Sequence, residues 1–289
     1  MTSPSLERSP TRAWLARAWS HGYTRVGIGI IAFVVAVAVL GPLMAPYTPT
    51  EFVGRPFAGP SGAALLGTDV LGRDVLSRVL SGGLLVLWMS LAATAVGMSL
   101  GVTLGMYAGY QQGGTDGFLM RSLDVVLAFP QLVLVLLFVS MLGPQLWLIV
   151  LLAGVAVTPG VARVARGATM EIAARDYVQS AQLLGQRKLR VMFGEILPGL
   201  SSPMLVEATM RLIWAIALIA ALSFLGFGVQ SPNADWGLMV NENRNGLSIQ
   251  PLAVLVPVAM IGLFAVGAGL LAEGLSRAMA LTSETRKST

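Results

Sequence analysis

The chain of 289 residues is 55% hydrophobic and 11% charged, with a mean hydropathy of +0.75, a composition that excludes an ordinary soluble domain and marks an integral membrane protein. It has no cysteine and a single histidine, His21, which excludes disulfides, thiolate metal sites, cysteine nucleophiles and histidine metal clusters. The net charge is +5 and the pI about 10.1, but the basic residues are scattered between apolar runs rather than gathered in one stripe, a pattern that fits membrane orientation and not nucleic-acid binding.

A helix needs about 20 mainly apolar residues to cross the hydrocarbon core. Six runs answer to that: Val26 to Tyr47, Gly83 to Tyr110, Ser122 to Leu142, Gln145 to Val161, Ile196 to Phe227 and Pro251 to Leu271. The first is too long for the apolar core of a cleavable signal and reads as a retained anchor. Ahead of it, TRAWLARAWSHGYTR sets Trp14 and Trp19 among arginines, which suits either a segment at the cytoplasmic interface or a frayed basic tail. Residues 47–66 are rich in proline and glycine and read as an external loop. Gly97, Gly101 and Gly105 predict close helix contacts in the second span, and Pro130 predicts a kink in the third.

Positive charge stays on the cytoplasmic side during insertion. With the N-terminus inside, only Arg55, Arg73, Arg78 and Arg244 fall outside and Arg211 lies within the fifth span, leaving 14 of the 19 Lys and Arg residues on the cytoplasmic side. That asymmetry predicts six spans with both ends in the cytoplasm.

The longest cytoplasmic loop, 162–195, contains YVQSAQLLGQRKLRVMFGEILPG, from Tyr177 to Gly199. Tyr177, Ala181 and Leu184 share one face of a first short helix, and Leu189, Met192, Phe193 and Ile196 follow the helical pattern in a second. Gly185 lies between them, where tolerance of positive φ allows a turn, and Pro198 marks the start of the next span. The expected product is a helical hairpin with small residues, Ser180 and Ala181, at an exposed knuckle. Amphipathic helices resting on the bilayer would give the same pattern. The chain has no GxxxxGK[ST] loop, since Lys188 and Lys287 are its only lysines and neither has that context, so any ATP-driven motor would be another polypeptide.

Gln179-Ser180-Ala181, three residues, Gly185, nine residues, then Glu195-Ile196-Leu197-Pro198 resembles the EAA loop of binding-protein-dependent ABC importer permeases. Glutamine stands for the usual glutamate, serine for the first alanine and Glu195 for the isoleucine. GTDVLGRDVLSRVLSG, Gly67 to Gly82, resembles a segment of the C-type permeases of dipeptide and oligopeptide importers, and ALSFLGFGVQSPNADWGLM, Ala221 to Met239, resembles a second. The resemblance implies an all-α, six-span permease subunit of the type I ABC importer kind in the bacterial cytoplasmic membrane. It further implies a homologous B-type permease, two ABC ATPases that use ATP and Mg, and an extracytoplasmic solute-binding protein as partners. The loop would couple to the ATPases through Tyr177, Gln179, Ser180, Ala181, Leu184, Gly185, Arg187, Leu197 and Pro198. Relatives also carry nickel, glutathione or other small solutes. On this reading the chain divides into a tail (1–24), an anchor (25–47), an external loop (48–82), a permease body (83–275) with its coupling loop (162–198), and a C-terminal tail (276–289).

Glu207 and Arg211 fall inside the fifth span, where each ionised group alone costs about 2.5 to 3.5 kcal/mol, and their spacing of four with the acid first allows pairing. Two roles stand: a structural pair facing the bundle, or part of the solute path. Asp69, Arg73, Asp74 and Arg78 have helical spacing and mixed charge at the outer mouth, with Trp236 from the second family-like segment, and suit an external cap, a binding-protein contact or a solvated helix face. Glu171 and Asp176 have no histidine or nucleophile at catalytic spacing, and no enzyme chemistry is expected from this chain. An ATP-independent secondary transporter would be expected to carry intramembrane acids in related positions of two halves, for which Glu207 and Asp124 are the candidates. A non-transporting scaffold would show no solute-dependent activity.

Overall fold

The computed structural model describes residues 22–287, with side chains as far as Ala278; Trp14, Trp19 and His21 lie outside the described residues. The helices are α1 (Gly22–Met44), α2 (Val75–Gln111), α3 (Gly113–Leu127), α4 (Gln131–Leu142), α5 (Leu146–Ala173), α6 (Asp176–Leu183), α7 (Lys188–Val191), α8 (Leu197–Phe224), α9 (Trp236–Asn243) and α10 (Leu252–Lys287). A π turn, Met192–Ile196, joins α7 to α8. By length and composition five of these elements can cross a membrane, and a sixth crossing arises if the bent pair α3–α4 is one span.

Helix ends depart from the sequence reading where polar groups extend them. Asp74 caps α2, its carboxylate accepting from Ser77 N–H at 2.8 Å and Ser77 Oγ at 2.6 Å, so the helix starts at Val75 rather than Gly83. At 37 residues α2 is about 55 Å long, well beyond the hydrocarbon thickness. The expected loop 162–195 is helical in its first part, because α5 continues to Ala173, and the expected tail from 276 is helical as far as Lys287.

The third span is broken. Pro130 has no amide donor and disfavours helical backbone at Phe129, and α3 and α4 meet there at 76°. Two ion pairs hold α3 against α5: Arg166 bonds both carboxylate oxygens of Asp116, at 2.5 and 2.6 Å, and Arg163 pairs with Asp124.

The central contact is between the parallel helices α2 and α5. A Cβ at Gly97 would stand 2.8 Å from Gly154 O and one at Gly109 2.7 Å from Arg166 O, while Gly101 and Gly105 face Val161 and Ala162. A glycine every fourth residue lets the two backbones approach, which is how helices pack where solvent hydrophobicity cannot drive them together. Around this pair, Met89, Val135, Ile149, Ile216, Ile219 and Leu222 form the main core, and α1 and α10 flank it.

At one end of the bundle, residues 45–74, α9 and the segment before α10 form a cap; the α6–α7 hairpin occupies the other end. Short bridges Phe52–Arg73 and Thr68–Asp74 fold the cap loop. Gln250 Nε2 donates to Leu66 O at 2.9 Å, and Val70 N–H donates to Asn243 Oδ1 at 2.9 Å.

Candidate functional site

The hairpin is built on a glycine turn. Gly185 has φ +73, and its N–H reaches Gln182 O at 2.9 Å while Gln186 N–H reaches Ala181 O at 3.2 Å, the paired bonds that close a helix on a left-handed residue. Arg187 stands at the start of α7, its side chain making no capping bond, and is exposed. Pro198 offers no donor to Gly194 O, and the turn before it widens to a π turn in which Leu197 N–H bonds Met192 O. Lys188 Nζ donates to Gln111 Oε1 at 3.0 Å and ties the hairpin to the end of α2.

Which faces are buried differs from the sequence reading. Ala181, placed at an exposed knuckle with Ser180, is 6% exposed and packs with Val178, Ile172 and Val191; Ser180 remains at the surface. The face expected to join Tyr177, Ala181 and Leu184 is therefore divided. Ala181 lies inward, whereas Leu184 is 80% exposed and Leu183 88%. On α7 and the π turn, Met192 and Ile196 are buried, while Leu189 and Phe193 point out. Gln179, at the surface, donates from Nε2 to Ala174 O at 3.2 Å. The outcome is a compact hairpin with an apolar outer surface that none of the described residues covers.

Glu207 and Arg211 pair on α8 as their spacing allows. Arg211 Nε donates to Glu207 Oε1 at 2.7 Å, and Nη2 lies 2.5 Å from the same oxygen. The guanidinium also rests on Gly160 of α5, where a Cβ would stand 2.6 Å from Nη2. The pair is 10 to 14 residues into a 28-residue helix, so it lies near mid-span.

The charged residues at the capped end form no solvated helix face. Asp69 and Arg73 lie in the loop before α2, and all four of Asp69, Arg73, Asp74 and Arg78 are buried, because a carboxylate from α9 joins them. Arg73 Nε and Arg78 Nη1 both reach Asp69 Oδ2 at 2.6 Å, and Arg73 Nη2 and Arg78 Nη1 reach Glu242 Oε2 at 2.8 and 2.5 Å. Burial also removes these groups from the surface a binding protein would touch. Trp236 is fully buried, its Nε1 donating to Val79 O at 2.9 Å and its ring filling the space left by Gly83.

Sequence reasoning missed Glu242, Asp235 and Gly160. Glu242 is 164 residues from Arg78, and no local pattern marks it. The spacing of Asp235 to a following helix was an available signal for a cap: its carboxylate accepts from Leu238 N–H at 3.0 Å. Asp124, weighed as an intramembrane acid, is half exposed and paired with Arg163.

Residues 101–281 match the family model of the binding-protein-dependent transport system inner membrane component. The chain is 34% identical over 275 residues to the glutathione transport system permease protein GsiD of Pectobacterium atrosepticum, covering 94% of this chain and 91% of that one. It is 35% identical over 260 residues to the di/tripeptide transport system permease protein DppC of Pseudomonas aeruginosa (88% and 86%), and 34% over 261 residues to the dipeptide transport system permease protein DppC of Haemophilus influenzae (88% and 88%). Among solved structures, a chain of the MetNI methionine ABC transporter in inward-facing conformations matches with a TM-score of 0.52 at 17% identity, over 70% of this chain and 96% of that one, a likeness of fold. With its all-helical, multi-pass architecture, the chain belongs to the family of binding-protein-dependent transport system inner membrane components.

Proposed function

We propose that this permease forms half of the translocation path of an ATP-driven importer of di- or oligopeptides and converts ATPase motion into alternating access. The observation that carries this reading is the hairpin: Leu183, Leu184, Leu189 and Phe193 project from a rigid glycine turn at one end of the bundle. Apolar surface of that kind marks a contact with a partner protein or the bilayer, and the family of this chain favours the partner. On this reading two ABC ATPases, holding ATP and Mg, seat the hairpin in their grooves, and this chain performs no catalysis. The lysine and arginine distribution supports an orientation in a bacterial plasma membrane with the hairpin and both termini in the cytoplasm and the cap outside. A homologous B-type permease completes the path, and an extracytoplasmic binding protein delivers solute to the cap.

Peptide is the preferred solute because relatives covering most of the chain are named for dipeptide and di/tripeptide transport. Glutathione, itself a small peptide, is the second reading, favoured by the relative named for it. The test is reconstitution with the neighbouring subunits. Two ATPases should co-purify, and short peptides should stimulate ATP hydrolysis. Stimulation by glutathione or nickel alone would redirect the substrate, and no ATPase association would sink the reading.

A further inference from the structure

One stripe of α8 runs along the edge of its core-packed face. Glu207, Arg211, Trp214, Leu218 and Ala221 recur at steps of four, three, four and three, which is one face of an α-helix. The neighbouring face, with Ala215, Ile216, Ile219 and Leu222, is fully buried in the core, and Leu218 of the stripe packs against it. On the stripe Trp214 is 61% exposed. Lipid is a poor neighbour for such a face at mid-span, because an ion pair there belongs against protein or water.

The stripe is also concave. Pro130 and Leu132 at the break of the third span stand opposite Trp214, Leu218 and Ala221 across an open groove of about 420 Å³. That is the size and apolar character of a small-ligand site. Gln131 fixes the broken end by donating from Nε2 to Ala156 O at 2.9 Å. Arg211 lies one helical turn before Trp214 on the same helix, next to the residues that line the cleft. Its contacts with Glu207 converge on Oε1, so Glu207 Oε2 and Arg211 Nη1 take no part in the pair, and neither is sealed without a partner. A half-open ion pair beside an aromatic wall complements a molecule with a charged end and an apolar side chain.

We propose that this cleft holds a short peptide in transit, an apolar side chain resting on Trp214 and Leu218 while the C-terminal carboxylate binds Arg211. The proposal rests on the peptide-import reading above and assigns that reading a site. In the complete importer reconstituted in liposomes, a benzophenone side chain installed at Leu218 is photoactivated during ATP-driven uptake of radiolabelled leucyl-leucine. The expected result is label on this subunit, suppressed by excess unlabelled leucyl-leucine. Cross-links only to the second permease or to lipid, with uptake intact, overturn the site but leave the import reading standing; no peptide uptake by the unmodified complex overturns both. Should the probe itself block uptake, Trp214→Ala decides: it should lower kcat/KM for leucyl-leucine about tenfold, the scale of one lost apolar contact, and leave glycyl-glycine unaffected, with Trp214→Phe restoring uptake. Equal loss for both peptides would overturn the site.

Discussion

Arg211 of α8 lays its guanidinium across the bare backbone of Gly160 on α5, so the ion pair with Glu207 is held from two helices. A methyl at Gly160 meets only the movable end of a side chain, and Gly160→Ala should keep the pair. Gly160→Leu should expel the guanidinium and leave two ionised groups unpaired in an apolar span, each costing about 2.5 to 3.5 kcal/mol. A lowered thermal midpoint of the purified full-length chain checks this. Exchanging the charges, Glu207→Arg with Arg211→Glu, keeps attraction but reverses what a solute would meet. Preserved folding with lost uptake assigns the pair to the path, and preserved uptake makes it structural.

Gly185 tests the hairpin turn without confusion from packing, since no atom lies within 4 Å of a Cβ built there. At φ +73 any penalty is conformational. Gly185→Ala should therefore cost about 1 kcal/mol and weaken uptake modestly. Gly185→Pro cannot adopt the angle and should abolish uptake while insertion into the membrane proceeds normally. Wild-type uptake by the proline variant would count against coupling through the hairpin.

Ala181 and Leu183 are two residues apart and should fail differently. Ala181→Leu forces extra methylenes among Val178, Ile172 and Val191, with an expected loss of about 1 to 3 kcal/mol, visible as faster hydrogen exchange over 176–191. Leu183→Ser removes an exposed side chain and should leave exchange unchanged while reducing ATPase co-purification. If the serine variant retains its ATPases and the leucine variant loses none of its protection, the assignment of faces is wrong.

Arg78 bridges Asp69 and Glu242 inside the cap with no exposed surface. Arg78→Met removes one of the two cations that Asp69 and Glu242 share and leaves Arg73 alone against both carboxylates, a loss of up to about 3 to 5 kcal/mol by analogy with broken buried pairs. Limited proteolysis should then cut within residues 45–74, where the wild type resists.

What could be read in advance follows the range of the interaction. The Gly97, Gly101 and Gly105 row, the Glu207–Arg211 pair and the Gly185 turn depend on neighbours within four residues or on one backbone angle, and the residues alone disclose them. The inward turn of Ala181 depends on where α7 returns, and alternation on a short helix fits either side. Asp69 and Arg78 look solvated until Glu242 arrives from far along the chain. Pro130 announced a bend in the third span; its size depends on α3 being drawn to α5 through Asp116 and Asp124, partners that hydropathy does not reveal.

Asp235 lies at the capped end, outside the candidate spans, and caps α9 while its Oδ2 is sealed without a partner. Burial pushes its carboxyl from 3.8 up to about 6, against the weaker opposing effect of its hydrogen bonds. Because the folded state holds this proton more tightly than the unfolded chain, the stability it confers is fully present below pH 4 and is lost as the pH rises through about 6. The shift corresponds to about 3 kcal/mol. Asn keeps the capping oxygen and cannot ionise. Asp235→Asn should therefore raise the thermal midpoint by a few degrees at pH 7.5, and the gap should close as the pH is lowered towards 4. A variant less stable than wild type at pH 7.5 would show that the ionised carboxylate is the form the fold prefers.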